Sequence, residues 1–444
     1  MINISAELKD AIESFGYNKS LSIRLNDLDI SSDLISQDSV SLVQGLSSRD
    51  NYSIGNTLCS ELNFSIINNK NRYTDISFYN NIINVTANIQ TQLGVTRTVS
   101  FGSFICQRPT ITNTGKIDIR AYDYMIKLET SGDRFLDSLD YPISLLDFMR
   151  AACEYVGIAH NIADDIVNAN FQIKKRPSST KLTIRSLMNK ALELAGGNAQ
   201  INLNTNEFEV VYLTDTEYEI PTKVHFDSVK IQDYQIALIS CIVASNGENA
   251  DIKYGDETGY VYYIDNNDLI YDCTDEEIYN ALGNILPKLS NINYKPFELN
   301  IKRGLMFLQP CDIVSFEYDN ITYKVPILER TLTGIYLEDS LSASGSEDRD
   351  KLRDDNVTGG QIASTFNSYI SGNRPSAFKT YYTDENYSKL SEIGAILSDG
   401  STEIVFKPLY QNGLLAGFKT NFDINFPNTN IPHPYDWGED DVEQ

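Results

Sequence analysis

Histidine and tryptophan are scarce in this chain, and its basic residues are far outnumbered by acidic ones. Its 444 residues include three histidines (His160, His225, His433), one tryptophan (Trp437), and 36 Lys plus Arg against 61 Asp plus Glu, a net charge of −25. Scarce histidine leaves little for imidazole catalysis or metal ligation. The negative balance disfavours wrapping DNA, since neutralising phosphates needs a basic surface. It does not exclude a surface that DNA passes without sticking. No run approaches the roughly 18 apolar residues of a membrane span. The start, "MINISAELKDAIESFGYNKS", lacks the basic stretch and apolar core of a signal peptide. Six cysteines (Cys59, Cys106, Cys153, Cys241, Cys273, Cys311) are widely spaced with no CxxC pair, which argues against zinc. They read as buried free thiols, small hydrophobes in a soluble chain made and kept in a reducing cytoplasm.

Catalytic signatures are also missing. No HExxH, GxSxG or P-loop occurs. The glycine pairs 196–197 and 359–360 fit a helix stop and a linker better than a phosphate cradle. Asp265, Asp268 and Asp272 in "YIDNNDLIYD" could suggest calcium, but the central glycine of an EF-hand loop is absent, and an Asn/Asp-rich turn is the simpler reading. Carboxylate pairs such as Asp164-Asp165 and Glu276-Glu277 are too common in so acidic a chain to mark general acid–base work. His160 follows a helix stop and His225 opens a strand, neither with a partner evident in sequence. The run "GYVYYID" could stack on sugars or bases, but aromatics favour strands and a wall position is the plainer reading. No catalytic, cofactor-binding or metal-binding residue is therefore assigned.

What is present is organisation. Residues 19–130 alternate with period two in "SLSIRLNDLDI", "SVSLVQGLS", "ELNFSII", "RTVSFGSFIC" and "KIDIRAY", with Asn, Asp, Gly and Ser between, as in a small barrel or sandwich. "NTG" at 113–115 marks a hairpin turn. Phe101, Phe104, Ile117 and Ile119 are its wall candidates. After Tyr122, Asp123 and Tyr124, period two gives way to a helical spacing.

Residues 131–222 read as an α/β insert. "YPISLLDFMRAACEYVGIAHN" is a helix opened by Ser144 and Asp147 and stopped by Gly157. "KLTIRSLMNKALELAGGNAQIN" repeats the plan from Thr183 to Gly196-Gly197, either as an internal pair or as what two short amphipathic helices share. A hairpin around Asn204–Asn206 follows. Strands return over 223–340, interrupted by a helix opened by Thr274 with Glu277 at the capping-box position. Residues 341–375 are a polar, Gly/Ser-rich linker. Residues 376–444 hold two or three strands joined at "QNG" and an acidic end, "GEDDVEQ".

This order and its phrases resemble the baseplate hub or tail-tip hub proteins of tailed bacteriophages and phage-tail-like particles. Four stretches carry the resemblance across roughly residues 20–340. They are "YSIGNTLCSELNFSI", where a glycine turn enters a strand; "FGSFICQRP…IDIRAYDYMIKLE"; "LDYPISLLDFMRAACEYVGI"; and "YVYYIDNNDLI" followed by a helix and "YKPFELNIKRGLMFLQPCDIVSFEYDNITYKVPILERTLTG". Two turns depart from the pattern: Cys311-Asp312 stands where Gly-Asp is expected, and Asn267 where Pro is expected.

The resemblance implies a multidomain α+β, mainly β protein. Two tail-tube-like β-barrels, 19–130 and 223–340, are joined by the α/β insert 131–222 after an N-terminal segment 1–18. The linker 341–375 leads to a C-terminal docking module, 376–444. It implies a homotrimer whose ring of pseudo-sixfold symmetry joins tail-tube or distal tail ring proteins to a threefold tip, in the virion tail, assembled in the host cytoplasm. Tape-measure protein and DNA would pass through the lumen, DNA without specific binding, and a tip or fibre protein would meet the C-terminal module. The family often carries a C-terminal tail lysin, peptidase or fibre-attachment region, but no hydrolase motif follows the linker here, so a docking module without enzymatic role or cofactor is expected. The alternatives are a tail-associated peptidoglycan hydrolase, which would need a nucleophile or metal set, and a receptor- or carbohydrate-binding tail protein, motivated by the Tyr-rich strand around Tyr262.

Overall fold

A computed structural model describes residues 1–2, 4–14, 18–26, 28–46, 52–68, 73, 76–92, 94–111, 115–177, 182–221, 224, 226–245, 251–334 and 337–345, with the backbone of strands at 377–382, 390–396, 403–411 and 414–420. His225, His433, Trp437, Asn113 and Thr114 of the hairpin turn, Gly359-Gly360, most of the linker and the acidic end lie outside these residues. Residues Met1–Asp355 form one compact unit and Asn356–Gln444 another.

The first strand group is β1 (Lys19–Leu25), β2 (Leu28–Ile30), β3 (Ser41–Gly45), β4 (Glu61–Ile67), β5 (Ile82–Gln90), β6 (Thr96–Cys106), β7 (Thr110–Ile111) and β8 (Lys116–Tyr122). Alternation in sequence becomes alternation in burial. Every second residue of β4 and β5 is buried, as period two requires when one face covers a core. Phe101, Phe104, Ile117 and Ile119 are all buried. The expected hairpin is only partly made: β8 pairs along its length with β4, and with β6 only at Ile105–Tyr122 and Cys106–Ala121. Short β7 pairs with β8 at Thr110–Asp118 and Ile111–Ile117, so β6 and β8 splay apart beyond their two shared pairs.

Four later strands join the same sheet: Phe226–Ile231, Phe297–Ile301, Glu329–Thr333 and Glu338–Ala343. The joint is β3, which pairs antiparallel with Glu329–Thr333 on one side and β4 on the other. Twelve strands thus share one sheet that runs from Phe226–Ile231 at one end to β2 at the other, and among the described residues it does not close on itself. The remaining later strands lie apart. Ile239–Ser245, Asp251–Gly255 and Tyr260–Ile264 form one three-stranded sheet. Thr214–Ile220, from the end of the insert, runs parallel to Asp312–Tyr318, which pairs in turn with Ile321–Pro326.

Among the described residues, five α-helices complete the unit: α1 (Ala6–Glu13), α2 (Asp133–Asp137), α3 (Leu145–Val156), α4 (Ile184–Leu194) and α5 (Asp275–Leu289). Their ends follow local chemistry. Ser144 and Thr183 accept from the third-residue N–H of α3 and α4, and Gly157 closes α3 in the left-handed conformation. Thr274 and Glu277 make a complete capping box on α5. The extended chain after α3 reaches Phe208 (Asn161 N–H to Phe208 O, Phe208 N–H to Ala159 O), and Asn198–Ile201, after α4, pairs with Phe208–Val211. Both helix-plus-extension units therefore meet the same strand. Residues 124–129, read as the start of a helical spacing, form a 3-10 helix capped by Asp123.

The 356–444 unit holds a four-stranded antiparallel meander, Ala377–Tyr382, Leu390–Ile396, Glu403–Gln411 and Leu414–Thr420, one or two strands more than the sequence suggests.

Candidate functional site

Buried polar residues gather where the two strand groups and the insert meet. Period two in "ILERTLTG" puts Arg330 on the same face as Leu328 and Leu332, and all three are buried. A buried guanidinium must find partners. Arg330 grips Asp339 with both ends, Nε to Oδ1 at 3.0 Å and Nη2 to Oδ2 at 2.8 Å. It also donates to the carbonyls of Leu305 (3.0 Å) and Leu308, while Leu305 N–H donates to Asp339. One residue beside the joint with β3 thus ties down the 305–308 loop.

Helix α1 straps the same region. Glu13 is buried and accepts from the Tyr218 hydroxyl at 2.9 Å, which helps push that phenol's pKa upward after burial itself. Lys9 lies over the Tyr218 ring, 4.2 Å from its centroid, and Arg303 donates to Ser14 O. Residues of the N-terminal segment thus touch Tyr218 at the end of the insert and Arg303 of the second strand group.

The insert hangs on the first strand group through residues 53–60 and 123–129. Asn56 N–H donates to Asn198 Oδ1 at 2.9 Å, and Asn198 Nδ2 donates to Ser53 O at 3.0 Å. Arg185 of α4 donates to Thr57 O and to Met125 O (2.9 Å), and pairs with Glu129. Asp123 is buried and accepts from Ser60 N–H (2.8 Å) and Met125 N–H (3.0 Å). Burial raises its carboxyl from 3.8 to about 6, against the lowering effect of those donors. Gly55 explains the glycine turn of the resemblance. Its φ is +83°, and a Cβ there would sit 2.4 Å from Glu193 Cγ and 2.9 Å from Asn189 O, both on α4.

The two departures from the family pattern also have structural readings. Cys311 has φ +82°, a conformation where glycine is at ease and a side chain is strained. Asn267 is buried and donates to Lys190 O at 2.8 Å and Glu193 Oε2 at 3.1 Å, a tie to α4 that proline could not make.

Of the residues weighed for chemistry in the sequence, Asp164, Asp165 and Glu277 line one cleft, and the others do not converge among the described residues. Asp268 pairs with Lys190 at 2.6 Å and Asp272 with Lys175 at 2.5 Å, so these carboxylates face separate cations. All six cysteines are unpaired thiols, five of them buried. Burial pushes Cys59 and Cys273 up to about 11 and Cys106, Cys153 and Cys311 up to about 12, which leaves little thiolate to attack anything. His160 lies beside Phe208 with Glu154 3.8 Å away. Tyr262 is buried and its hydroxyl accepts from Ile54 N–H at 3.2 Å, so it is a core residue and not an exposed stacking platform. Among the described residues, no helix is long and apolar enough to cross a membrane.

Sequence reasoning missed Arg330, Asp339, Asn56 and Asn198. Arg330 carried a signal, a charge at an inward position of an alternating strand. Asn56 and Asn198 carried none, because their pairing depends on partners far apart in the chain.

What the geometry presents outward is backbone. The strand Phe226–Ile231 pairs only with Phe297–Ile301, and β2 only with β1, so both ends of the twelve-stranded sheet have a free edge among the described residues. Unpaired edges are where another chain can add a strand.

No family model matches the chain, and no curated protein matches its sequence. Solved structures do resemble it. A tail protein from Neisseria meningitidis MC58 is 10% identical and aligns over 75% of this chain and 98% of its own, with a TM-score of 0.45. Prophage tail protein gp18 from Listeria monocytogenes EGD-e is 14% identical over 79% and 99%, with a TM-score of 0.44. The 43 kDa tail protein of prophage MuSo2 from Shewanella oneidensis is 10% identical over 74% and 99%, with a TM-score of 0.46. Phage tail proteins and a virion baseplate are thus among the solved structures that align with this chain.

Proposed function

We propose that the chain is a structural hub of a phage or phage-like tail, without enzymatic activity, that trimerises into a ring of pseudo-sixfold symmetry. The single observation that carries this reading is the open twelve-stranded sheet, which unites two strand groups in one frame and, among the described residues, leaves one unpaired strand edge at each end. In a ring, those ends would be consumed by neighbouring copies. Each strand group, 19–130 and 223–340, would then supply one tube-like barrel wall, the insert 131–222 would brace the outside, and 376–444 would dock a tip or fibre protein. A net charge of −25 suits a lumen that repels phosphate and lets DNA and the tape-measure protein slide. Partners in this reading are tail-tube or distal tail ring proteins above and the tip below, in a virion tail assembled in the host cytoplasm.

The experiment is mass measurement in solution with negative-stain imaging of labelled particles. The expected result is a mass three times that of the 50.0 kDa chain and label at the tip end of the tail tube. A stable monomer within assembled particles, or label absent from that end, would sink the proposal.

A further inference from the structure

A cleft of about 530 Å³ opens between the 164–172 loop and the exposed face of α5, away from the joint described above. That volume lies within the roughly 300–1,000 Å³ typical of small-molecule sites. Its walls are mostly amides and carboxylates, and its floor is Ile166, Ala169 and Ala281, all buried.

The cleft is held in shape. Asn168, at φ +58°, donates to Leu194 O (2.8 Å) and Ala281 O (3.1 Å) and accepts from Asn284 Nδ2 (2.8 Å), so one side chain fastens the loop to α4 and α5. From behind, Val167 N–H donates to the Tyr212 hydroxyl at 3.1 Å, and the Ala169 and Phe171 carbonyls accept from the first residues of α3.

The lining selects a class of ligand. Asp164, Asp165 and Glu277 repel anions such as phosphates. Two of the three carboxylates are already answered: Asp164 by Arg150 at 2.6 Å, and Glu277 by Lys174 at 2.6 Å and by the start of its own helix. A strongly cationic ligand therefore finds little net charge. Among the described residues no group of three or more His, Cys, Asp or Glu could hold a metal ion. What remains is a neutral ligand with many hydroxyls. An amide offers a donor and an acceptor side by side, which matches a hydroxyl that both donates and accepts. Half-buried Phe171 offers ring surface to the C–H face of a sugar.

We propose that this cleft binds a short neutral saccharide, with Asn280 and Gln172 on its rim making hydrogen bonds to the hydroxyls. The site does not depend on ring formation.

The test uses the full chain on a printed array of neutral di- and trisaccharides, followed by calorimetric titration of the best array sugar. Asn280 is exposed on α5, and alanine there favours the helix, so Asn280→Ala keeps the fold. The expected result is an array hit whose affinity falls roughly two- to tenfold in Asn280→Ala and in Gln172→Ala, the loss of one neutral hydrogen bond at an exposed rim that water partly replaces. Thermal unfolding should be unchanged in Asn280→Ala and nearly so in Gln172→Ala, which gives up one exposed hydrogen bond from Gln172 Nε2 to Asn170 O. No hit on the array overturns the proposal. So does a hit whose affinity both variants leave intact.

Discussion

At the scale of residues, the most consequential side chain is Arg330. Its guanidinium and the Asp339 carboxylate are both buried, so each is tolerable only with the other. Replacing Arg330 with Met keeps the length and removes the charge, leaving Asp339 uncompensated. Breaking a buried pair in this way costs about 3–5 kcal/mol. Urea unfolding of Arg330→Met should show that loss, and adding Asp339→Leu should recover part of it, limited by the Leu305 N–H that Asp339 also accepts. If the double variant is as unstable as the single one, the pair is not the source. Asp123 makes a prediction of opposite kind. Its folded carboxyl titrates near 6, above the 3.8 of a free Asp. Between those values the folded chain binds more protons than the unfolded one, so stability falls as pH rises through the window. Two pK units correspond to on the order of 3 kcal/mol. The contribution is fully present below about pH 4 and gone above about pH 6. The difference in unfolding free energy between the parent and Asp123→Asn should therefore change across that window and be flat above it. A difference independent of pH would refute the assignment.

At the scale of elements, local chemistry was legible and docking was not. The helix starts at Ser144, Thr183 and Thr274 and the stop at Gly157 follow from short-range hydrogen bonds, and each is where spacing puts it. Three of the thiols were legible too, because Cys106 and Cys241 sit in apolar strands and Cys153 on the buried side of a helix, whereas Cys59, Cys273 and Cys311 lie in connections. Strand Glu338–Ala343 escaped notice because in "EDSLSA" one of the three inward residues is the charged Asp339 and another the small Ala343, which leaves Leu341 as the single large apolar residue. Strand Thr214–Ile220 escaped for a different reason: its bulge near Asp215–Tyr218 breaks the period-two pattern. Gly55 shows how a local oddity can report a distant contact. Its left-handed backbone also leaves no room beside α4, where Gly55 N–H donates to Gly197 O at 2.9 Å. Gly55→Ala combines backbone strain of roughly 1–2 kcal/mol with a collision against Asn189 O. It should lower the unfolding midpoint and raise hydrogen exchange in α4 and Asn198–Ile201 more than in β4 and β5. Equal exchange everywhere would mean that Gly55 does not set the docking of the insert.

At the scale of the whole molecule, the order of strands along the chain does not reveal which will be neighbours. Nothing in "SLVQG" names "ERTLT" as its partner, yet β3 and Glu329–Thr333 make the pairing on which the large sheet depends. Such pairing is fixed by which edges remain free after nearer strands have paired, a property of the assembled unit and not of any window of sequence. The same accounting predicts where the chain can be cut. Residues Met1–Asp355 are compact without help from Asn356–Gln444. The last described stretch of that unit is anchored: the Tyr294 hydroxyl donates to Ser344 O at 2.7 Å and the Tyr234 hydroxyl to Gly345 O at 2.6 Å. A chain ended a few residues past Gly345 keeps every strand of the large sheet, including both free edges. It should therefore unfold at the same midpoint as Met1–Asp355 within the full chain and still form a trimer if those edges make the ring. If 376–444 is the docking module, the shortened chain should cap tail tubes but fail to recruit the tip, as seen by negative stain of particles carrying only that version. A shortened chain that stays monomeric while the full chain trimerises would move the ring contact out of the sheet edges and into the C-terminal unit.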